Sequence, residues 1–375
     1  MSAQVIEARA YPQTASEQPI LSVVIPTYDE AGNLLPLLRK LDSALSSVDW
    51  EVIFADDNSP DGTHALAKTL SLNDRRIRCL RRVGRRGLAG ACIDGILASS
   101  ATYVAVMDGD MQHDESVLAR MLHRLQDAEG DIAVGTRYIE GGSAAAFSMH
   151  RGFLSRAANA LTRAVLGVRV SDPMSGFFMI RRDVFERFAP QLSHEGFKIL
   201  LDLLAVAKSE LRIVEEPYEF RTREIGESKF SLRTGLEFLG LVVSRLSGGL
   251  VAPRFVPYAF VGAIGLLVHF GVLRLGLQET TFARSQALAT FVAMLVNFVV
   301  NNMLTYRDSR LRGFAAARGA AIFCLIGATG FVANIGISTL LYGADHLWWL
   351  AGLAGALIGA FWNFSMSNRL VWRQA

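Results

Sequence analysis

At 375 residues the chain is long enough for two domains, and its apolar content, 51% overall, is split unevenly. Residues up to about 250 read as a charged, soluble α/β protein, whereas the remainder is membrane-like. A net charge of only +3 argues against a nucleic-acid partner. Cys79, Cys92 and Cys324 show neither metal nor disulfide spacing, which fits a reducing cytosolic setting. Residues 1–19 have no apolar periodicity and no basic-then-apolar leader pattern, and are expected to form a disordered tail.

From residue 20 onward, strands are expected to alternate with helices. Leu21–Pro26 reads as a first strand opening into Pro26-Thr27-Tyr28-Asp29-Glu30, and a helical pattern follows at Leu34, Leu35, Leu38, Leu41 and Leu45. A second strand at Glu51–Ala55 ends in Asp56-Asp57-Asn58-Ser59-Pro60-Asp61-Gly62-Thr63. Another helix, a strand at Ile77–Leu80 and a Gly- and Ala-rich helix at Gly87–Ser99 come next. This alternation predicts an α/β fold with a mostly parallel sheet, whose ligands lie beyond the carboxyl ends of the strands. No GxGxxG or Walker sequence follows a strand, so dinucleotide dehydrogenases and P-loop enzymes are excluded.

The next strand, Val104-Ala105-Val106-Met107, runs into Asp108-Gly109-Asp110-Met111-Gln112. Two carboxylates one residue apart and a nearby amide are a ligand set for a hard cation, Mg²⁺ or Mn²⁺, and a diphosphate can complete the shell. Tyr28 can stack against a base, and Glu30 and Asp57 can accept from base or ribose donors. Asp29 and Asp61 are assigned to helix capping.

Six stretches together resemble one family. They are Ile25–Glu30, Asp56–Thr63, Met107–His113, Gly135-Thr136-Arg137-Tyr138, Asp172-Pro173-Met174-Ser175-Gly176-Phe177-Phe178 and Gly226-Glu227-Ser228-Lys229. Their order over residues 20–247 is similar to that of polyprenyl-phosphate (dolichol-phosphate) mannose synthases, inverting family-2 glycosyltransferases of the GT-A fold. Gly109 and Asp114 depart from the more usual Ala and Pro. The Gln-x-x-Arg-Trp motif of processive synthases is absent. The resemblance implies a guanosine pocket from Pro26, Tyr28, Glu30, Ala55 and Asp57. Asp108, Gly109, Asp110, Arg223 and Lys229 would complete the nucleotide-sugar site, with the metal on Asp108, Asp110 and Gln112. Arg137, Arg151 and Ser155 would hold the acceptor's phosphate, and Asp110, Arg137 and Arg151 would carry catalysis.

A flexible Gly/Ala flap is expected at 139–146, and amphipathic segments at 147–168 and Phe230–Ser247 suggest helices lying in the headgroup plane. A lipid monophosphate is already largely dianionic at pH 7, so no catalytic base is needed and His113 and His150 read as structural.

Four apolar stretches, Phe255–Leu273, Ser285–Tyr306, Gly319–Ala344 and Leu347–Asn368, predict a four-helix transmembrane domain. It contains an internal repeat. Gly262, Gly265 and Gly271 recur as Gly327, Gly330 and Gly336, while Asn297, Asn302, Tyr306 and Arg307 recur as Asn363, Asn368, Trp372 and Arg373. The pattern resembles the GtrA-like domain found with such synthases. Arg307, Arg310, Arg312 and Arg318 in the central loop predict that the catalytic domain and both termini face the cytosol. Asn297, Asn302, Asn334 and Asn363 are suited to hydrogen bonding between helices. The division is therefore a tail at 1–19, a GT-A catalytic domain at 20–228, an interfacial linker at 229–250 and the membrane domain at 251–375.

The expected activity moves mannose from GDP-mannose to polyprenyl or dolichyl phosphate at the lipid bilayer. Two readings stay open beside it: UDP-glucose or another nucleotide sugar with undecaprenyl phosphate, and a lipid carrier or flippase with a degenerate transferase domain.

Overall fold

The computed structural model describes residues 18–143, 158–164, 167, 170–194, 196, 198–221, 232–343 and 348–372. Its amino-terminal part is built on a seven-stranded sheet. The strands are β1 (Leu21–Thr27), β2 (Trp50–Asp56), β3 (Ile77–Arg81), β4 (Tyr103–Val106), β5 (Ile132–Thr136), β6 (Phe178–Arg181) and β7 (Ile213–Pro217), in the order β3-β2-β1-β4-β6-β5-β7. All pairings are parallel except those of β6, which runs antiparallel to both β4 and β5. The mostly parallel α/β architecture expected from the sequence is present, with one reversed strand inserted. Leu21–Ile25 is buried along its length, as a central strand covered on both faces must be.

Helices cover each face. Leu37 and Leu41 of α1 (Leu34–Ala44) and Leu118, Met121 and Leu125 of α4 (Val117–Gln126), with α2 (Thr63–Asn73), close one core over Val23, Phe54 and Met179. The other core joins α3 (Leu88–Leu97), α5 (Arg182–Phe188) and α6 (Ile199–Ala207) to Val24, Ile53 and Ile180. Gly95 of α3 lies so close to β1 that an added Cβ would sit 2.4 Å from Val24 Cγ1.

Helix α7 (Leu232–Leu246) buries Phe238, Leu241 and Val242 against Leu201 and Met174. On another face Leu232, Leu239, Val243 and Leu246 stay exposed, spaced seven, four and three residues apart. A helix apolar on both its protein-facing and its outer side has the composition of one lying on a bilayer. The amphipathic segment expected at 147–168 falls largely outside the described residues.

Four long helices follow: α8 (Phe255–Glu279), α9 (Phe282–Met303), α10 (Gly313–Gly343) and α11 (Trp348–Leu370). Among the described residues three stretches are long and apolar enough to cross a bilayer, Phe255–Glu279, Phe282–Met303 and Gly313–Gly330. The internal repeat has a structural counterpart. An added Cβ on Gly265 would meet Asn297 Oδ1 at 2.1 Å, and one on Gly330 would meet Asn363 Oδ1 at 1.9 Å. Each hairpin thus packs an asparagine amide directly on a glycine of its partner helix. Neither carbonyl oxygen has a hydrogen-bond partner, unlike the interhelical bonding expected of them. Asn302 does bond as expected, accepting from Leu311 N at 2.8 Å and Trp372 Nε1 at 3.0 Å. The Asn334 side chain lies outside the described residues. Tyr306 and Trp372, equivalent in the repeat, stack at 4.1 Å and 3° and lock the two hairpins together.

Gly265→Ala is expected to destabilise the membrane domain by about 1–3 kcal/mol through overpacking. The double change Gly265→Ala/Asn297→Ala should recover most of the loss, read as thermal melting in detergent. Independent, additive losses would refute the contact.

Candidate active site

Three loops at the carboxyl edge of the sheet meet because β2, β1 and β4 are adjacent, with Thr27 in register with Asp56. Each loop holds one non-glycine residue in the left-handed region: Asp29 at φ 60°, Asn58 at φ 55° and Met111 at φ 65°. Asn and Asp tolerate this conformation and Met does so poorly, so the turn after Asp110 stores strain at the site.

The two inner carboxylates of the first loops are already engaged. Asp56, fully buried, accepts from Ser59 N at 2.9 Å and Ser59 Oγ at 2.5 Å, and Thr27 Oγ1 donates to it at 3.2 Å. Asp57 accepts from Gly87 N at 2.7 Å and from the Arg82 guanidinium, which also reaches Asp94 at 2.9 Å. Burial pushes the Asp57 carboxyl above its ordinary range, against the pull of Gly87 N–H and Arg82. Tyr28 carries the Arg86 guanidinium over its ring at 4.8 Å, and Glu30 accepts from Asn33 Nδ2 at 2.5 Å. Pro26 and Ala55 face each other in the β1–β2 register beneath these loops. Asp61 accepts from Thr63 N at 3.0 Å at the start of α2, one position ahead of the N-cap Gly62 rather than at the cap itself, and its carboxyl lies below the ordinary range: burial opposes this, but Thr63 and Ala31 donors prevail.

The loop from Asp108 is clamped from above by residues 218–221. Arg221 N donates to Gln112 O at 2.9 Å, and Gln112 Nε2 donates to Arg221 O at 3.0 Å. The Arg221 guanidinium pairs with Glu115 at 2.7 Å and Asp114 at 2.8 Å. With its amide nitrogen tied down, Gln112 has its carbonyl oxygen left for a cation. Asp110, 7% exposed, accepts Gln112 N at 3.2 Å through Oδ1. Behind Asp108 stands His113, whose Nε2 lies 3.3 Å from Asp108 Oδ2 and whose Nδ1 lies 3.1 Å from Tyr218 Oη. Burial pushes the Tyr218 hydroxyl above its ordinary pKa and it stays a donor; the tautomer in which Nδ1 accepts from it leaves Nε2–H for Asp108. His113 is 2% exposed between Phe177 and Tyr218, and acts as a support for Asp108.

Among the described residues no cluster of three or more His, Cys, Asp or Glu side chains forms a ready metal cage. Two carboxylates plus one amide oxygen instead suit a hard divalent cation that draws its remaining oxygens from phosphates.

Arg137, nearly buried, makes a two-pronged pair with the fully buried Asp172, at 2.6 Å from Nε and 3.0 Å from Nη2. Burial disfavours its charge, yet Asp172 more than compensates and holds the guanidinium protonated. Arg151, Ser155, Arg223 and Lys229 lie outside the described residues. Gly109 packs above β1, where a Cβ would stand 3.2 Å from Ile25 Cγ2. The usual Ala at that position would therefore need a small adjustment of Ile25.

Sequence reasoning missed several residues at this site. Arg82, Arg86 and Arg221 carry no local signal, because their partners are brought to them only by the fold. Gly176, within the Asp172–Phe178 stretch, is another. A Cβ there would press to 2.9 Å from Asp108 Oδ2. Gly176→Ala is accordingly expected to lower turnover at least about tenfold by displacing Asp108, for about 1–3 kcal/mol of strain. Steady-state rates beside a melting curve check this; unchanged turnover would show that Asp108 does not need its place.

The profile of the Glycosyl transferase family 2 matches residues 22–188, and that of the GtrA/DPMS transmembrane domain matches residues 257–372. The chain is 31% identical over 358 residues to a dolichol-phosphate mannosyltransferase of Pyrococcus furiosus, covering 94% of this chain and 99% of that protein. It is 35% identical over 215 residues to a polyprenol monophosphomannose synthase of Mycolicibacterium smegmatis, covering 56% of this chain and 80% of that one. Among solved structures, glucosyl-3-phosphoglycerate synthase from Mycobacterium tuberculosis, in complex with Mn²⁺, UDP and glucosyl-3-phosphoglycerate, superposes with a TM-score of 0.47 at 18% identity, over 61% of this chain and 80% of that one.

Proposed function

This chain belongs to the dolichol-phosphate mannosyltransferase family of membrane-bound family-2 glycosyltransferases, and we propose that it transfers mannose from GDP-mannose to the phosphate of a polyprenyl or dolichyl monophosphate. The observation that carries this reading is the similarity to the Pyrococcus furiosus enzyme across both domains, joined to an intact Asp108-x-Asp110-x-Gln112 loop clamped at the sheet edge.

The base would rest against Tyr28, with Glu30 and the loop containing Asp57 beside the ribose. Asp57, tied to Arg82, would act through the shape and charge of that pair. Asp108, Asp110 and Gln112 would hold Mg²⁺ or Mn²⁺, which when bound supplies Lewis-acid stabilisation of charge on the departing diphosphate. An oxygen of the lipid phosphate attacks the sugar's anomeric carbon from the face opposite the nucleotide. The carbon–oxygen bond to GDP breaks as the new one forms, and its electron pair leaves on the β-phosphate. No proton has to be removed from the acceptor, whose second pKa lies near about 6. Arg137, rigidly held by Asp172, with Arg151 and Ser155, would orient that dianion. Arg223 and Lys229, on the segment continuing from the Arg221 clamp, would take the donor's phosphates.

Four spans, with the catalytic domain and both termini cytosolic, complete the reading. Its support is the basic central loop at Arg307, Arg310, Arg312 and Arg318 and the exposed apolar line of α7. The deciding experiment offers purified protein GDP-mannose and UDP-glucose in turn, with a short-chain polyprenyl phosphate. Mannosyl lipid should form and glucosyl lipid should not; the reverse would overturn the donor assignment.

The division of phosphates gives a finer expected result. Arg151→Ala should raise KM for lipid phosphate about tenfold or more and leave GDP affinity unchanged. Arg223→Ala should weaken GDP binding by a similar factor. Titrating each ligand against both variants checks this, and an exchange of the two patterns would reverse the assignment.

A further inference from the structure

Arg137 and Asp172 form their two-pronged pair immediately after two hydroxyl residues: Thr136 precedes the arginine and Ser171 the aspartate. The two hydroxyl oxygens lie 2.5 Å apart. Ser171 is tied in turn to Glu215 of β7, whose Oε1 accepts from Ser171 N at 2.8 Å and from Ser171 Oγ at 2.5 Å. Strand β7 runs parallel to β5 with Glu215 beside Val134 and Pro217 beside Thr136, so Glu215 and Thr136 share one face of the sheet.

The donor directions follow from the chemistry of the groups. An ionised carboxylate only accepts, so the Ser171 hydroxyl commits its one hydrogen to Glu215. Thr136 must then donate to Ser171 Oγ, and Thr136 Oγ1 accepts in turn from Tyr138 N at 3.3 Å. One chain of bonds thus runs from the Tyr138 N–H through two hydroxyls to Glu215. It fixes the backbone on both sides of Arg137 and the residue that precedes Asp172. Asn159 Nδ2 also donates to Ser171 O, at 3.5 Å, from the helical residues 158–164 that follow Arg151 and Ser155 in sequence. The neighbouring Glu216 is an ordinary structural carboxylate. It is 7% exposed and pairs with Arg120 at 3.3 Å and Arg124 at 2.9 Å, holding α4 to β7. Glu215 turns its carboxylate to Ser171 instead.

We propose that Glu215 is a positioning residue for the acceptor's phosphate, acting through Ser171 and Thr136 to set the place and angle of the Arg137 guanidinium. The inference rests on the reading that Arg137 orients that phosphate. Hydrogen bonds from a planar guanidinium weaken as its angle to the acceptor departs from the straight line. A loosened root at residues 136–138 and 171 therefore lowers affinity for the lipid phosphate without removing the positive charge.

The test uses the full chain in detergent, a short-chain polyprenyl phosphate, and whichever of GDP-mannose and UDP-glucose the wild type turns over. Glu215→Ala should raise KM for the lipid phosphate about tenfold, as for one lost charge-assisted contact, and leave nucleotide binding by calorimetry unchanged. Ser171→Ala should do the same, and the double variant should be no worse than the worse single one, because both break one chain of bonds. Glu215→Gln keeps a carbonyl oxygen for both Ser171 donors and should restore a KM close to that of wild type. Glu216→Gln, read beside them, should lower the melting temperature and leave the lipid KM as in wild type, which separates lost position from lost stability. A normal lipid KM in Glu215→Ala, an equal rise in Glu216→Gln, or additive rises in the double variant would overturn the assignment. If Arg137→Lys raises that KM and Glu215→Ala does not, this inference falls and the acceptor reading stands. If neither raises it, the acceptor reading falls as well.

Discussion

Asp110→Asn should reduce sugar transfer by two to three orders of magnitude, on the order of 3–4 kcal/mol of transition-state stabilisation, with little change in folding. The substitution keeps the side chain's size and its ability to accept from Gln112 N, and removes the negative charge. Asp110 is 7% exposed in the loop that follows β4, so the change falls at an enclosed position. Exhaustive chelation of the wild type should reproduce the loss, and added Mg²⁺ or Mn²⁺ should restore it. Mn²⁺ titration followed by electron paramagnetic resonance gives a second readout that needs no turnover, and Asp110→Asn should weaken that binding. Full activity after exhaustive chelation would refute the metal assignment.

The second large effect is expected at Asp172→Asn. Asp172 is fully buried and grips Arg137 through both carboxylate oxygens. Neutralising it leaves a nearly buried guanidinium without its counter-charge, a change that typically costs about 3–5 kcal/mol. Melting should fall by several degrees, and the variant should lose acceptor affinity if Arg137 positions the lipid phosphate. Arg137→Lys separates the two effects. Lysine keeps the charge but cannot make the planar two-pronged contact, so the KM for lipid phosphate should rise while GDP binding stays put. A melting temperature equal to that of wild type in Asp172→Asn would show that the pair contributes nothing to the fold.

The strands, their carboxyl-edge loops and the order of the motifs were all legible in the sequence, because each is a local pattern. A run such as Leu21–Ile25 has only to be apolar to become a central strand, and an Asp-x-Asp turn needs only the strand before it. The membrane repeat was legible for the same reason: Gly265 and Asn297 recur at matched spacing, and the structure brings them into contact. The reversed strand β6 was not legible. Three apolar residues and an arginine at 178–181 carry no signal of direction, and only the path of the chain between β5 and β6 decides how they enter the sheet.

Partners distant in sequence were decided by tertiary structure alone. Arg221 reaches Asp114 across 107 residues, and Arg137 reaches Asp172 across 35, with no periodicity to announce either pair. Local composition sets which segments become strands, helices or spans. A long-range ion pair depends on which ends of those segments the sheet order brings side by side. The sequence by itself therefore determined which residues are candidate ligands. The fold determined what holds them: His113 behind Asp108 and the Arg221 backbone over Gln112.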